Sequence, residues 1–120
     1  MDPPPRSYPA LESLPAYWAL IGQMIAAAGG EREAVEHLPQ AALAAGLEIE
    51  EFSGFFTSLG PEIGFDLHAA SMAAARVRAE STGVPVERID EIVASLRAAK
   101  TGGYDWVLSP FFFDLRLRKP

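Results

Sequence analysis

Two stretches of this sequence have the pattern of a β-strand, and a long helical stretch separates them. Residues 47–57 alternate apolar side chains with glutamates and end in phenylalanines. Residues 104–119 are interrupted at Ser109-Pro110 and then place a regular apolar series on one strand face: Phe111, Phe113, Leu115 and Leu117. Two strands cannot make a complete doubly wound sheet, and alone they are marginally stable. We therefore expect an α/β fold in which two antiparallel strands pair with each other and leave their outer edges open.

Helical periodicity accounts for most of the remaining chain. Residues 9–46 predict helices, the clearest over about 14–28. Residues 61–103 predict a helical insertion between the two strands, and the proline-rich residues 1–8 predict an extended lead-in. A chain of 120 residues is long enough for one hydrophobic core, so we expect a single domain over residues 1–120.

Composition excludes several functional classes. The net charge of −6 argues against binding to nucleic acid or an anionic membrane surface. The sequence has no cysteine and only two histidines, which leaves little for a disulfide framework or a metal site. No apolar run approaches the roughly 20 residues that cross a bilayer. The start of the sequence lacks the apolar core of a signal peptide, so we expect a cytoplasmic protein.

The chain carries few candidates for chemistry. The glycine pairs at 29–30 and 102–103 follow predicted helices, whereas a phosphate-binding loop follows a strand and opens a helix. Tyr17 and Trp18 lie on the apolar stripe of the first helix, either as core residues or as the wall of an aromatic pocket. His68 is either a satisfied buried imidazole or a general base. The acidic residues at 48–51 are expected on a solvated strand face, and Asp114, Arg116 and Arg118 as surface charges of little energetic weight.

A set of short motifs occurs in a characteristic order along nearly the whole chain. The motifs are Tyr17-Trp18, Gly29-Gly30-Glu31, Leu38-Pro39, Ala44-Ala45-Gly46-Leu47, Gly103-Tyr104-Asp105-Trp106-Val107, Ser109-Pro110-Phe111-Phe112-Phe113 and Leu117-Arg118-Lys119-Pro120. In this order they resemble the C-terminal half of class I S-adenosylmethionine-dependent methyltransferases of the ubiquinone/menaquinone-type branch. The resemblance implies a partial Rossmann-like fold in which the two strands are the sixth and seventh of the family.

The resemblance also implies a function. The cofactor-binding half of the family, with its glycine-rich loop and ribose-binding acidic residue, has no counterpart here. The chain would then cover a small apolar or aromatic acceptor, inactive alone, and would use S-adenosylmethionine only if a second chain supplied the missing half. The positions that would face the acceptor are Tyr17, Trp18, His68 and Met72, with His68 the candidate base.

Two alternatives come from other classes. The chain could be a stand-alone, non-methylating relic of that fold that binds an apolar small molecule or forms a dimer. It could also be a small cyclase-like enzyme that uses the aromatic helix and His68. The exposed phenylalanine-rich strand edges favour a homodimer or a complementing chain in each case.

Overall fold

The computed structural model, which describes residues 4–30 and 34–120, contains both strands and helices. The strands are β1 (Ser7–Tyr8), β2 (Glu48–Phe55), β3 (Ser58–Leu59), β4 (Trp106–Leu108) and β5 (Phe112–Arg118). The helices are α1 (Ser13–Ala27), α2 (Leu38–Ala44), α3 (Pro61–Ala74), α4 (Ala79–Thr82) and α5 (Val86–Ala99), with 3₁₀ turns before α2 and α4. The fold is mixed α/β, as the sequence predicts. Residues 1–3 of the predicted lead-in and 31–33 of the predicted helical segment lie outside the described residues.

The predicted antiparallel pairing of the two strand regions is confirmed. β2 pairs with β5 along its length, from Glu48 opposite Arg118 to Phe55 opposite Phe112, with a register shift at Glu50. All of α3, α4 and α5 lies between these two strands in the sequence. We call the two-stranded β2–β5 sheet the ribbon.

The C-terminal strand predicted over residues 104–119 is interrupted at Ser109-Pro110, as the sequence indicates, but its two parts are separate strands in different sheets. β4 is the central strand of a second, three-stranded sheet of order β1–β4–β3. The change of sheet occurs at Ser109, whose backbone N–H donates to the Thr57 carbonyl (2.8 Å) and whose hydroxyl accepts from the Thr57 N–H (2.9 Å). Pro110 follows and has no N–H to continue the ladder. Both edges of β4 are therefore paired, and β1 and β3 form the outer edges of this sheet.

The hydrophobic core lies between three helices and β4, away from the ribbon. Each helix contributes one apolar stripe at helical spacing. The largest fully buried apolar side chains are Leu14 on α1, Phe65 and Met72 on α3, Ile89, Ile92 and Leu96 on α5, and Val107 on β4. The core thus forms a helical body to which β1, β3 and β4 add a small sheet.

A tight glycine turn connects the helical part of the chain to the ribbon. α2 ends at Ala44, and Gly46 has a φ of +83°, a conformation that glycine adopts without a steric penalty. The N–H of Leu47 then donates to the carbonyl of Ala42 at 3.0 Å, and β2 begins at the next residue. This turn directs the chain back so that α2 lies against β2.

Candidate functional site

His68 forms a buried polar cluster that joins three elements of the body. Its side chain on α3 is fully buried, and its Nε2 atom lies 2.9 Å from the carbonyl oxygen of Leu108 at the end of β4. A carbonyl only accepts hydrogen bonds, so Nε2 carries the proton. Nδ1 is then free to accept from the Tyr17 hydroxyl on α1, at 3.4 Å. The cluster fixes one imidazole tautomer and ties α1, α3 and β4 together.

Burial disfavours the charged forms of both His68 and Tyr17. It lowers the pKa of His68 below its usual range, and the hydrogen bond to the Leu108 carbonyl offsets part of that change. It raises the pKa of the Tyr17 phenol, against a smaller opposite effect of a hydrogen bond with Ser71. Both side chains are therefore neutral near neutral pH.

The four predicted substrate-facing residues do come together. The rings of Tyr17 and His68 are in edge contact with centroids 5.3 Å apart, and those of Tyr17 and Trp18 are 5.8 Å apart. Met72 is fully buried one helical turn beyond His68 on α3. Three of the four side chains belong to the closed core, so a substrate would reach them only if α1 or α3 moved. Their assignment to substrate binding stays a prediction, and their observed geometry is that of core packing.

Open clefts lie elsewhere on the body. One, of about 520 Å³, lies between α1 and α5 and is lined by Ser13, Ser95, Arg88 and Glu91 among others. A second of about 430 Å³ lies under Pro4 to Ala10 and is mostly apolar, and a third of about 300 Å³ lies between α1 and the α3–α4 junction. None of these three clefts is lined by Tyr17, Trp18, His68 or Met72, so none extends the polar cluster into a site.

The ribbon has one apolar face that is only half-covered. Its cross-strand register sets Ile49 opposite Leu117 and Phe52 opposite Leu115, with Gly54 opposite Phe113. The Phe52 ring is 41% exposed and stacks on the Phe113 ring. Contiguous exposed apolar surface is a feature of many protein interaction sites.

The opposite face of the ribbon is charged towards one end. Arg118 pairs with Glu48 and also lies 3.9 Å from Glu50, and Arg116 lies 3.5 Å from Glu51. Asp114 faces the uncharged Ser53 and makes no ion pair within the described part of the chain. The far end of this face carries Phe55 and Phe112, which are 48% and 45% exposed.

Both outer edges of the ribbon are unpaired within residues 4–30 and 34–120, since β2 and β5 pair only with each other. Unpaired strand edges present a row of backbone donors and acceptors that another strand can satisfy. The aromatic face, the charged face and the open edges together make the ribbon the candidate functional site.

Sequence reasoning placed the apolar face of β5 correctly but missed its ion pairs. The sequence does carry a signal for these ion pairs. An acidic run at 48–51 and a basic run at 116–118 lie at opposite ends of two strands predicted to be antiparallel. Antiparallel pairing brings such runs side by side.

Scans against models of protein families, characterised proteins and solved structures found no match to this chain. Within the described ranges, no group of three or more acidic or histidine side chains is placed to hold a metal ion. The helices described here are also too short or too polar to cross a membrane.

Proposed function

We propose that this chain is a self-associating assembly module and that the ribbon is its association surface. The observation that carries the proposal is the exposure of large apolar side chains on a sheet with two free edges. Phe52, Phe55, Phe112 and Leu117 are each more than 40% exposed, and all four lie on the ribbon. Burying apolar area of this kind stabilises an assembly by about 25 cal/mol per Å².

The position of the core supports the same proposal. The body buries its own apolar stripes among α1, α3, α5 and β4, so the ribbon is not needed to complete it. The molecule is elongated, with principal dimensions of 50 × 35 × 19 Å. A two-stranded ribbon outside the core buries little apolar area when the chain folds alone. It would bury more of that area against a partner.

Sedimentation velocity tests the proposal. The wild-type chain should sediment as a dimer at tens of micromolar and dissociate on dilution. The double variant Phe52→Ser/Leu117→Ser removes two exposed side chains of the apolar face and should shift the equilibrium to monomer. The matched control is Val77→Ser, because Val77 is 88% exposed and lies outside the ribbon. A wild-type monomer at all concentrations, or equal association of both variants, would refute the proposal.

A second candidate function comes from the resemblance to methyltransferases. The observation that favours it is that β2 and β5 pair antiparallel on either side of a helical insertion. The resemblance implies this arrangement for strands six and seven of that family. The chain would then be the acceptor-covering part of a methyltransferase-like unit, with a small apolar or aromatic acceptor.

In this second candidate, a complementing chain would supply the S-adenosylmethionine site and the strand beside β5. His68 and Met72 would approach the acceptor only after the core opened. The discriminating property is cofactor binding, because an assembly module made of this chain alone has no need of S-adenosylmethionine. Isothermal titration with S-adenosylmethionine distinguishes the two candidates.

A further inference from the structure

The free edge of β5 is complementary in charge to itself. β5 runs from Phe112 to Arg118, and Leu115 is its central residue. If two copies of β5 pair antiparallel about a two-fold axis at Leu115, each strand overlaps its copy over its full length. Asp114 then lies directly opposite Arg116 of the second copy, and the symmetry produces this pair twice.

The rest of the strand fits this register as well. Phe113 lies opposite Leu117 of the second copy, so apolar side chains meet on the apolar face. Phe112 lies opposite Arg118, where a guanidinium beside an exposed aromatic ring gives a favourable cation–π contact. Leu115 meets its own copy at the axis.

The neighbouring registers are unfavourable. Moving the axis to Asp114 or to Arg116 sets two like charges directly opposite each other, and like charges directly opposite on a sheet are destabilising. It also shortens the overlap. Charge thus selects one register from those that the alternation of faces permits.

The edge of β2 is less suited to pairing with a second copy. Its register shift at Glu50 distorts the edge, and irregularities of this kind oppose edge-to-edge pairing. β2 carries three glutamates and no basic residue, so two copies of it have no charge attraction. α2 also lies against this strand.

We propose that two copies of this chain associate through the free edges of β5, antiparallel and in register at Leu115, to form a four-stranded sheet of order β2–β5–β5–β2. The inference rests on the proposed function and names its partner and register. The sheet carries the apolar faces of both ribbons on one side, because a two-fold axis normal to the sheet keeps equivalent faces together.

A charge-exchange experiment tests the register. In Asp114→Arg homodimers, arginine opposes arginine at both symmetric positions, and in Arg116→Glu homodimers, aspartate opposes glutamate. Each variant alone should dimerise about tenfold more weakly than wild type, since attraction is replaced by repulsion twice. An equimolar mixture should recover wild-type affinity as a heterodimer, because every opposed pair is again of opposite charge.

The controls carry the same charge changes elsewhere. Asp105→Arg and Arg97→Glu alter exposed residues outside the ribbon and should leave the dimer constant unchanged. Circular dichroism of each variant verifies folding, and recovery in the mixture cannot come from unfolded chains. Native mass spectrometry identifies the heterodimer by its mass.

The outcomes separate the two proposals. A wild-type monomer refutes both association and register. A wild-type dimer that is insensitive to the two charge reversals, or a mixture that fails to recover, refutes the β5 register and leaves association through the ribbon standing. Recovery only in the mixture supports the register.

Discussion

The ring of Phe113 stacks on that of Phe52 across the ribbon, with centroids 5.5 Å apart and an interplanar angle of 5°. The two residues are diagonal neighbours, because Phe113 lies directly opposite Gly54. Gly54 has no side chain there, and the Phe111 ring occupies the place that its Cβ would take. The missing side chain lets three aromatic rings pack on one short stretch of sheet.

Phe113→Asp should destabilise the chain far more than Arg118→Ala. The aspartate loses aromatic packing and about 1–2 kcal/mol of burial for a half-covered ring, and it sets a carboxylate among apolar side chains. Arg118 lies on the opposite face in an exposed ion pair with Glu48, worth about 0–1 kcal/mol. Thermal melts of both variants beside wild type measure the difference. Equal losses in melting temperature would mean that the faces of β5 are assigned wrongly.

Gly64→Ala should destabilise the body by about 1–3 kcal/mol. α3 crosses β4 so closely that a methyl group on Gly64 would overlap Cγ1 of Val107, which is fully buried. Gly60→Ala is the matched control, because a Cβ at Gly60 meets nothing within 4 Å and its φ of −61° is ordinary for alanine. Urea denaturation of the two variants gives the comparison, and a stable Gly64→Ala would contradict the close crossing.

Stability should fall as the pH drops through the usual range of histidine titration. Because burial lowers the pKa of His68 in the folded chain, the unfolded chain takes up a proton first. The contribution of His68 to the free energy of unfolding is then at its maximum above about pH 6.5. Below that pH it decreases, by at most about 1.4 kcal/mol per pH unit.

Urea denaturation between about pH 7.5 and 5.5 measures this dependence, above the range in which ordinary carboxyl groups titrate. His68→Gln keeps an amide that can donate to the Leu108 carbonyl, so it should flatten the profile in that range. A His68→Gln profile as steep as that of wild type would assign the dependence to another group.

The chain alone should not bind S-adenosylmethionine. Backbone approach to such a cofactor uses a glycine-rich turn that follows a strand and opens a helix. The glycines with positive φ in the described residues all follow helices instead: Gly29, Gly46, Gly83 and Gly103. Isothermal titration calorimetry measures the binding of S-adenosylmethionine to the chain. A dissociation constant in the low micromolar range would show that a cofactor site exists in this chain and would favour the methyltransferase candidate over a pure assembly module.

Local sequence patterns predict which segments form helices and strands better than they predict which of these elements pair or pack together. The apolar stripes of α1 and α5 and the alternation of β5 are periodic over many residues, so their type and buried face follow from the sequence. β1 and β3 have two residues each, which is too short for any periodicity. They exist because β4 offers them backbone partners, and this tertiary cause has no local sequence signal.

The candidate site was partly predictable for the same reason. An exposed phenylalanine strand with an open edge follows from the alternation at 111–117 and from the number of strands. The burial of His68 and Tyr17 depends on how α1, α3 and β4 pack, which the spacing of these residues does not determine. The sequence therefore left both a core role and a site role open for these residues, and their burial in the structure is that of core residues.

Hydrogen exchange at two protein concentrations tests the ribbon as association surface most directly. The account predicts that backbone amides within Phe112–Arg118 exchange more slowly at high concentration than at low, because a second copy pairs with the free edge. The amides of Trp106–Leu108, already paired on both sides, should be unchanged. Exchange in β5 that does not depend on concentration, or protection that appears only on the helical body, would contradict the account.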